Sequence, residues 1–272
     1  MTASQKKSVK EHVAVITGGS RGIGFALGQN LINKGYKVYS LSRTAPADTK
    51  IKHIECDISN ETSVKAAFVK LFEKESTIDL LVNNAGIGFS GSIENSDSAD
   101  IKKIFDVNFF GAVWSARCAI PKMKNGGKIV FISSIAAIFA IPFQSMYSVT
   151  KASMSMFSDA LRLELMPHKI SVSTLLLGDT DTEFTKNNRK VSYDDDEKYA
   201  ARITRCLNIM EKDEKNGMKT ETCAKYITKI VCRKKLKAFY VIGTFMYKMY
   251  CILEKFLPKR VVLSLLYQMY GK

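Results

Sequence analysis

Apolar runs and stretches of helical spacing alternate along most of this chain. The first run, 12–17 (His-Val-Ala-Val-Ile-Thr), is short and nearly continuous, as buried parallel strands are. A glycine-rich turn follows at once, and Phe25 to Lys34 continues with helical spacing up to Gly35, a good stop signal. The same reading predicts strands over 37–42, 51–56, 78–82, 128–132, 170–177 and 237–241. It predicts helices over 61–74, 147–166 and 220–231, the last capped by Thr220. One long helix is predicted from about Asp100 to Met123, carrying Asn108 and broken at Asn125, Gly126 and Gly127. Strands alternating with helices in this way predict an α/β fold, a single doubly wound parallel sheet. Ligands bind such sheets at the carboxyl ends of the strands. The glycine turn, Arg43, Asp57, Asn84, Ser134 and Gly178 all fall just past strand ends and converge on one edge.

Two stretches depart from the alternation. Residues 182–202 are polar and include the acidic run Asp194 to Glu197, which reads as a solvated helix start. Beyond Gly243, residues 244–272 crowd apolar and aromatic side chains among scattered cations, and Pro258 should split them into two short helices. The organisation is thus a lead over 1–11, one domain over 12–243 and a C-terminal helical extension over 244–272. Three roles fit that extension: a wall of the substrate cleft, a subunit interface, or peripheral contact with a membrane, where basic amphipathic helices are at home. The helix over 147–166 is apolar on more than one face, so it must be buried on two sides.

Composition narrows the partners. With 272 residues, 46% hydrophobic and 25% charged, the chain is an ordinary globular one that can bury a full core. Its formal net charge of +15 favours anionic partners such as nucleotide phosphates or acidic lipid. The basic residues are dispersed, with neither zinc-finger spacing nor an RNA-binding signature, so no nucleic-acid role and no metal site are predicted. The six cysteines form no C-x-x-C pair and read as reduced intracellular thiols. The basic start lacks an apolar segment behind it, and no run of about eighteen apolar residues occurs. The expectation is a cytoplasmic protein, membrane-associated only through its extension.

Chemistry concentrates in three places. In the turn Gly18-Gly-Ser-Arg-Gly22-Ile-Gly24, backbone without side chains can approach a pyrophosphate, and the following helix offers unpaired N–H groups. The spacing G-x-x-x-G-x-G is neither the G-x-G-x-x-G fingerprint nor a P-loop, and its strand-turn-helix context is what makes it strong. After the second strand, Ser42, Arg43 and Thr44 stand where an NAD-binding protein places an acid, and Arg21 adds a second guanidinium. Arginine suits a phosphate through bidentate, charge-assisted bonds, so NADP(H) is predicted. Third, Tyr147 and Lys151 lie one helical turn apart; of eleven tyrosines only Tyr147 has Lys at i+4. A nearby ammonium favours the phenolate, which makes the pair a general acid/base beside a reactive centre.

Together these residues resemble the short-chain dehydrogenase/reductase family over about 12–243. The matching pieces are Thr17 to Gly24, Asp57, Asn83-Asn-Ala-Gly86, Asn108, Ser134 and the Tyr147-x-x-x-Lys151 pair, in family order. The resemblance implies a Rossmann-like fold holding a nicotinamide cofactor against Gly18, Ser20, Arg21, Gly22, Ile23, Gly24, Arg43, Asp57, Ile58, Asn84, Gly86, Tyr147, Lys151 and Thr180. It implies Tyr147 as proton donor to a carbonyl, Lys151 lowering the tyrosine pKa and holding the nicotinamide ribose, Ser134 bonding the substrate oxygen, and Asn108 holding a relay water. It also implies that 182–202 covers the substrate and that the protein pairs through the 147–166 helix, as a homodimer or homotetramer. Ser134 is chosen over Ser133 on its spacing to the tyrosine. One departure stands out: the family's Pro-Gly after the sixth strand is Leu177-Gly178-Asp179-Thr180 here, and Asp179 and Asp181 bring negative charge close to an anionic cofactor. With NADP(H) read from the two arginines and an apolar substrate from the extension as a cleft wall or membrane contact, the expected activity is an NADPH-dependent ketone–alcohol interconversion on a hydrophobic steroid-, fatty- or lipid-like substrate. The rivals are a 3-oxoacyl carrier-protein reductase, which the basic surface suits, and a non-catalytic NADP(H)-binding regulatory or scaffold protein.

Overall fold

The computed structural model describes residues 11–182, 189–191 and 198–271. Seven strands form one sheet in which every pairing is parallel: β1 (His12–Thr17), β2 (Tyr36–Ser42), β3 (Lys52–Glu55), β4 (Ile78–Asn83), β6 (Met123–Ser134), β7 (Ser171–Leu177) and β11 (Phe239–Ile242). Their order is β11-β7-β6-β4-β1-β2-β3. The winding reverses between β1 and β4, the switch point where a crevice opens in such folds. Both faces are covered, so the central strands are apolar throughout and Ala14, Val15, Ile16, Leu80, Leu81 and Val82 are fully buried. Helices α1 (Gly22–Ile32) and α7 (Thr220–Val231) close one face around Leu27, Leu31, Ile227 and Val231. Helices α2 (Glu61–Phe72), α4 (Gly111–Ala119) and α5 (Ser145–Leu165) close the other around Phe68, Phe131, Met154 and Leu161.

The long helix expected over 100–123 is three pieces. Helix α3 (Ser98–Phe105) passes into a π turn, Asp106–Phe110, and then into α4. The buried Asn108 amide explains the distortion: its Oδ1 accepts from Ile87 N at 2.8 Å and its Nδ2 donates to Ile87 O at 2.9 Å, so the helix yields to a clamp on the β4 loop. The helix also ends earlier than expected, at a 3-10 turn containing Pro121, and Met123 already pairs with Ile78. Asn125, Gly126 and Gly127 lie inside β6 instead, where the register shifts and Gly126 takes φ +91°. Thr220 does not cap α7: Lys219 holds that position, and the Thr220 hydroxyl donates to Asp181 O at 2.8 Å.

Short elements surround the carboxyl edge. Strand β5 (Gly88–Ser90) pairs with β9 (Arg189–Val191), and β8 (Thr180–Asp181) pairs with β10 (Met218–Lys219). Much of the expected covering segment, including Asp194 to Glu197, lies outside the described residues. Helix α6 (Ala200–Lys215) follows it, burying Ile203, Cys206, Leu207 and Met210 at helical spacing. The extension forms two short helices, α8 (Phe245–Leu253) and α9 (Lys259–Leu266), with Pro258 as the α9 N-cap. None of the six cysteines is paired. Among the described residues no helix is long and apolar enough to cross a membrane.

Candidate active site

Thr17, Ser42, Asn83, Ser134 and Leu177 end their strands at one edge, and a cleft of about 990 Å³ opens there. The glycine turn forms its floor. Gly18 adopts φ +67°, and a Cβ there would sit 3.0 Å from Ala85 Cα. A Cβ on Gly24 would lie 2.5 Å from both Asn84 Nδ2 and Gly18 O, so α1 starts hard against the loop after β4. That loop is tied back to β1: Asn84 Nδ2 donates to the Thr17 and Gly18 carbonyls at 3.1 Å each, and Thr17 Oγ1 accepts from Asn84 N and Ala85 N. Arg21 is the N-cap residue of α1 but its side chain does not bond the helix's N–H groups, and no acid stands in the helix's first turn. An eleven-residue helix thus presents its positive end and bare N–H groups to the cleft.

The β2 end lies beside this floor. Ser42 Oγ donates to Thr44 O at 2.8 Å, and Thr44 Oγ1 donates to Ser20 Oγ at 3.3 Å, joining the Ser42–Thr44 turn to the glycine turn. Arg21 and Arg43 are both exposed on the cleft wall. Burial acts to raise the pKa of Asp57, but bonds from the Ser59 hydroxyl and N–H, with the charges of Arg43 and Lys103, hold it below the ordinary carboxylate value. Ile58 completes that end of the wall.

At the other end stand the residues of α5. Tyr147 lines the cleft, and Lys151 Nζ lies 5.6 Å from its ring centroid. Lys151 is buried and donates to Ile132 O at 3.0 Å, and desolvation pulls its pKa down to about 8. Ser134 Oγ accepts from Ala136 N at 3.1 Å, which occupies an oxygen lone pair and not the hydroxyl proton. Ser133 also reaches the wall, but its hydroxyl donates to Lys151 O at 3.1 Å and helps fix α5 on β6. Gly86 sits between two groups that its missing side chain lets approach: a Cβ would be 3.4 Å from Asn108 Oδ1 and 3.6 Å from Lys151 Nζ.

Of the residues singled out in the sequence, Gly18, Ser20, Arg21, Gly22, Ile23, Arg43, Asp57, Ile58, Asn84, Gly86, Ser134, Tyr147, Lys151 and Thr180 all line this one cleft. Gly24 and Asn108 stand one layer behind it. Thr180 Oγ1 donates to Gly178 O at 3.0 Å. The two acids flanking it are engaged: Asp181 pairs with Lys219 at 2.7 Å, and Asp179 accepts from the Tyr247 hydroxyl of the extension. The substrate side also contains residues that the sequence reading missed. Met210, Asp213 and Glu214 come from α6, Phe89 from β5, and Tyr270 from the last turn of the extension. The α6 residues had a signal, the stripe Ile203, Leu207, Met210; Tyr270 belongs to the extension for which a cleft wall was one expectation, but its own place depends on folding 57 residues back to Asp213, which accepts its hydroxyl at 3.4 Å.

A family model described as short chain dehydrogenase matches residues 12–192. A 3-ketodihydrosphingosine reductase of Bacteroides thetaiotaomicron is 35% identical over 231 residues, covering 83% of this chain and 86% of that protein. The 3-oxoacyl acyl-carrier-protein reductase MabA of Mycobacterium bovis is 28% identical over 192 residues, covering 68% of this chain and 78% of that protein. Among solved structures, a short-chain dehydrogenase from Streptomyces avermitilis superposes with a TM-score of 0.80 at 23% identity, covering 94% of this chain and 98% of its own. The parallel seven-stranded sheet, the glycine turn on its carboxyl edge and the matches to both sequence and fold agree: the chain belongs to the short-chain dehydrogenase/reductase family and is an oxidoreductase.

Proposed function

We propose that the protein is an NADPH-dependent reductase that interconverts a ketone and a secondary alcohol on a hydrophobic, lipid-like substrate. The observation that carries this reading is the convergence of a phosphate cradle and a Tyr–Lys–Ser set on one cleft. The cradle fits a dinucleotide: Gly18 and Gly24 leave no space for a side chain, and the N-cap residue's side chain does not occupy the α1 N-terminus. Gly18 to Gly24 would hold the diphosphate, Arg21 and Arg43 the 2′-phosphate, and Lys151 with Tyr147 the nicotinamide ribose, with Thr180 beside them. The exposed guanidinium of Arg43 follows β2 directly, where a carboxylate would have repelled that phosphate.

When bound, the cofactor supplies hydride to the carbonyl carbon. Negative charge then develops on the carbonyl oxygen, and the chain's own residues answer it. The Ser134 hydroxyl donates to that oxygen, and Tyr147 transfers its phenolic proton to it. Lys151, in a desolvated site, acts on the phenol as a poorly screened cation whenever it is protonated. Asn108 holds the loop bearing Gly86 and, through Thr150 at 3.2 Å, the first turns of α5. The apolar side of the cleft, Phe89, Ile135, Ile141 and Met210, suits an aliphatic chain more than a sugar. The Bacteroides relative, named for its reduction of 3-ketodihydrosphingosine, points the same way.

A carrier-protein-linked 3-oxoacyl substrate is the second reading, favoured by the +15 charge and the MabA match. NADPH oxidation measured against free long-chain ketones and carrier-bound 3-oxoacyl chains separates the two. With the better substrate, Tyr147→Phe should lower kcat by about 10²–10⁴-fold while NADPH affinity is kept. If wild type consumes NADPH no faster than Tyr147→Phe on every ketone, the enzymatic reading fails. The exposed apolar face of α5, with Met156 at 72% and Leu163 at 67%, supports pairing of two copies across that helix.

A further inference from the structure

The extension over 244–271 is built unlike the rest of the chain. Only Cys251, Val262 and Gly271 are buried in it, while twelve large apolar residues between Phe245 and Met269 are exposed, Phe245 at 77% and Phe256 at 80%. Summed over the twelve, roughly 1,000 Å² of side-chain surface faces water. Its attachments to the domain include polar bonds. The Tyr247 ring lies on Gly178 and Gly243 and its hydroxyl bonds Asp179; Arg202 Nε donates to Gly271 O at 2.8 Å, its guanidinium lying over Tyr267 and Phe143.

Cations are interleaved with the exposed apolar groups. Lys248, Lys255, Lys259 and Arg260 are exposed, whereas the one acid of the described extension, Glu254, is bonded to Lys259. Lys255 lies over the exposed ring of Phe239 at the start of β11, directly after the basic run Arg233, Lys234, Lys235 and Lys237. We infer that this extension is a docking surface for anionic phospholipid membranes. Apolar side chains would enter the acyl boundary while the cations meet the headgroups. The charge argues against a second copy as occupant, since two such basic surfaces would repel each other.

The docked segment is also a cleft wall, because its last turn supplies Tyr270. Resting on the lipid-ketone reading above, this gives the substrate a route from bilayer to Tyr147 along one continuous element. Arg202 couples the two ends: its other ring partner, Phe143, lies in the loop leading into α5.

The test is flotation of the full-length protein with vesicles of phosphatidylcholine alone or mixed with phosphatidylglycerol, at low and high salt. Wild type should float with the anionic vesicles roughly tenfold more than with the neutral ones, and salt should weaken this. The variant Phe245→Ser/Phe256→Ser should lose flotation while keeping wild-type thermal unfolding and wild-type turnover of a small water-soluble ketone. Equal recovery with both vesicle types, or flotation unchanged in the variant, overturns the proposal. So does a variant whose only change is a smaller mass by light scattering, which would make the occupant a second copy. An enzyme that floats as expected but reduces no ketone would refute the functional reading and leave the docking surface standing.

Discussion

Lys151 gives the sharpest physical test of the site. Its ammonium is buried, donating to the Ile132 carbonyl at 3.0 Å beside the Tyr147 ring, and desolvation lowers its pKa from 10.5 to about 8. The unfolded chain therefore binds more protons than the folded one between pH 8 and 10.5. Below that window the folded state bears the full cost of holding a charged lysine in a dry site. A shift of that size corresponds to about 3 kcal/mol at pH 7 and about 1 kcal/mol at pH 9.5. Replacing Lys151 by Met removes the charge and keeps the volume. It also forfeits the bond to Ile132 O, worth about 1–2 kcal/mol, so the net gain of the variant at pH 7 is about 1–2 kcal/mol. The pH-dependent part does not contain that bond. In urea unfolding of the cofactor-free proteins, followed by far-ultraviolet circular dichroism, wild type should close on Lys151→Met by about 2 kcal/mol from pH 7 to pH 9.5. Other titrating groups are common to both chains and cancel. A difference that stays constant across this range would refute the claim that Lys151 is held in a desolvated, charge-averse site. The same variant should be inactive, which separates the group's chemical use from its effect on stability.

Three further outcomes follow from the geometry. Arg43→Ala should weaken NADPH binding by about 10–100-fold and NADH binding by less than about twofold in titration calorimetry; equal losses would sink the 2′-phosphate assignment. Gly24→Ala forces a Cβ to 2.5 Å from Asn84 Nδ2 and Gly18 O and should cost about 1–3 kcal/mol in thermal unfolding, whereas Gly22→Ala, at φ +56° with open space around it, should cost only about 1–2 kcal/mol of backbone strain. Met156→Glu, on the exposed face of α5, should shift sedimentation toward monomer, and an unchanged mass would exclude that face as an interface.

What could be read from the sequence was what is local to a strand end. The glycine turn, Arg43, Asp57, Asn84 and Ser134 each follow a strand, and a parallel sheet brings all such ends to one edge, where the Tyr147–Lys151 pair of α5 also stands. Periodicity also located most strands and helices to within a few residues. It failed where a tertiary bond overrides helical spacing. Nothing in 100–123 announces the π turn, because the Ile87 groups that Asn108 grips lie 21 residues away. Gly126 and Gly127 read as a stop because glycine signals a turn, yet here they bulge a strand that Met123 has already begun.

The acids after β7 show the same limit from the side of charge. Asp179 and Asp181 stand beside the cleft proposed to hold a diphosphate, and on spacing alone they oppose it. In the fold each is answered from afar: Lys219, 38 residues on, pairs with Asp181, and Tyr247, 68 residues on, donates to Asp179. The Tyr247 ring also occupies the space beside Gly178 and Gly243, within 3 Å of where a Cβ would stand on either. An alanine at Gly178 would displace that ring and with it the hydroxyl that engages Asp179. The extension thus packs its Tyr247 ring directly on the glycine of Leu177-Gly178-Asp179. The two departures from the family pattern, the acid after Gly178 and the added helices, are joined by one contact, in which the tail's Tyr247 hydroxyl donates to the Asp179 carboxylate.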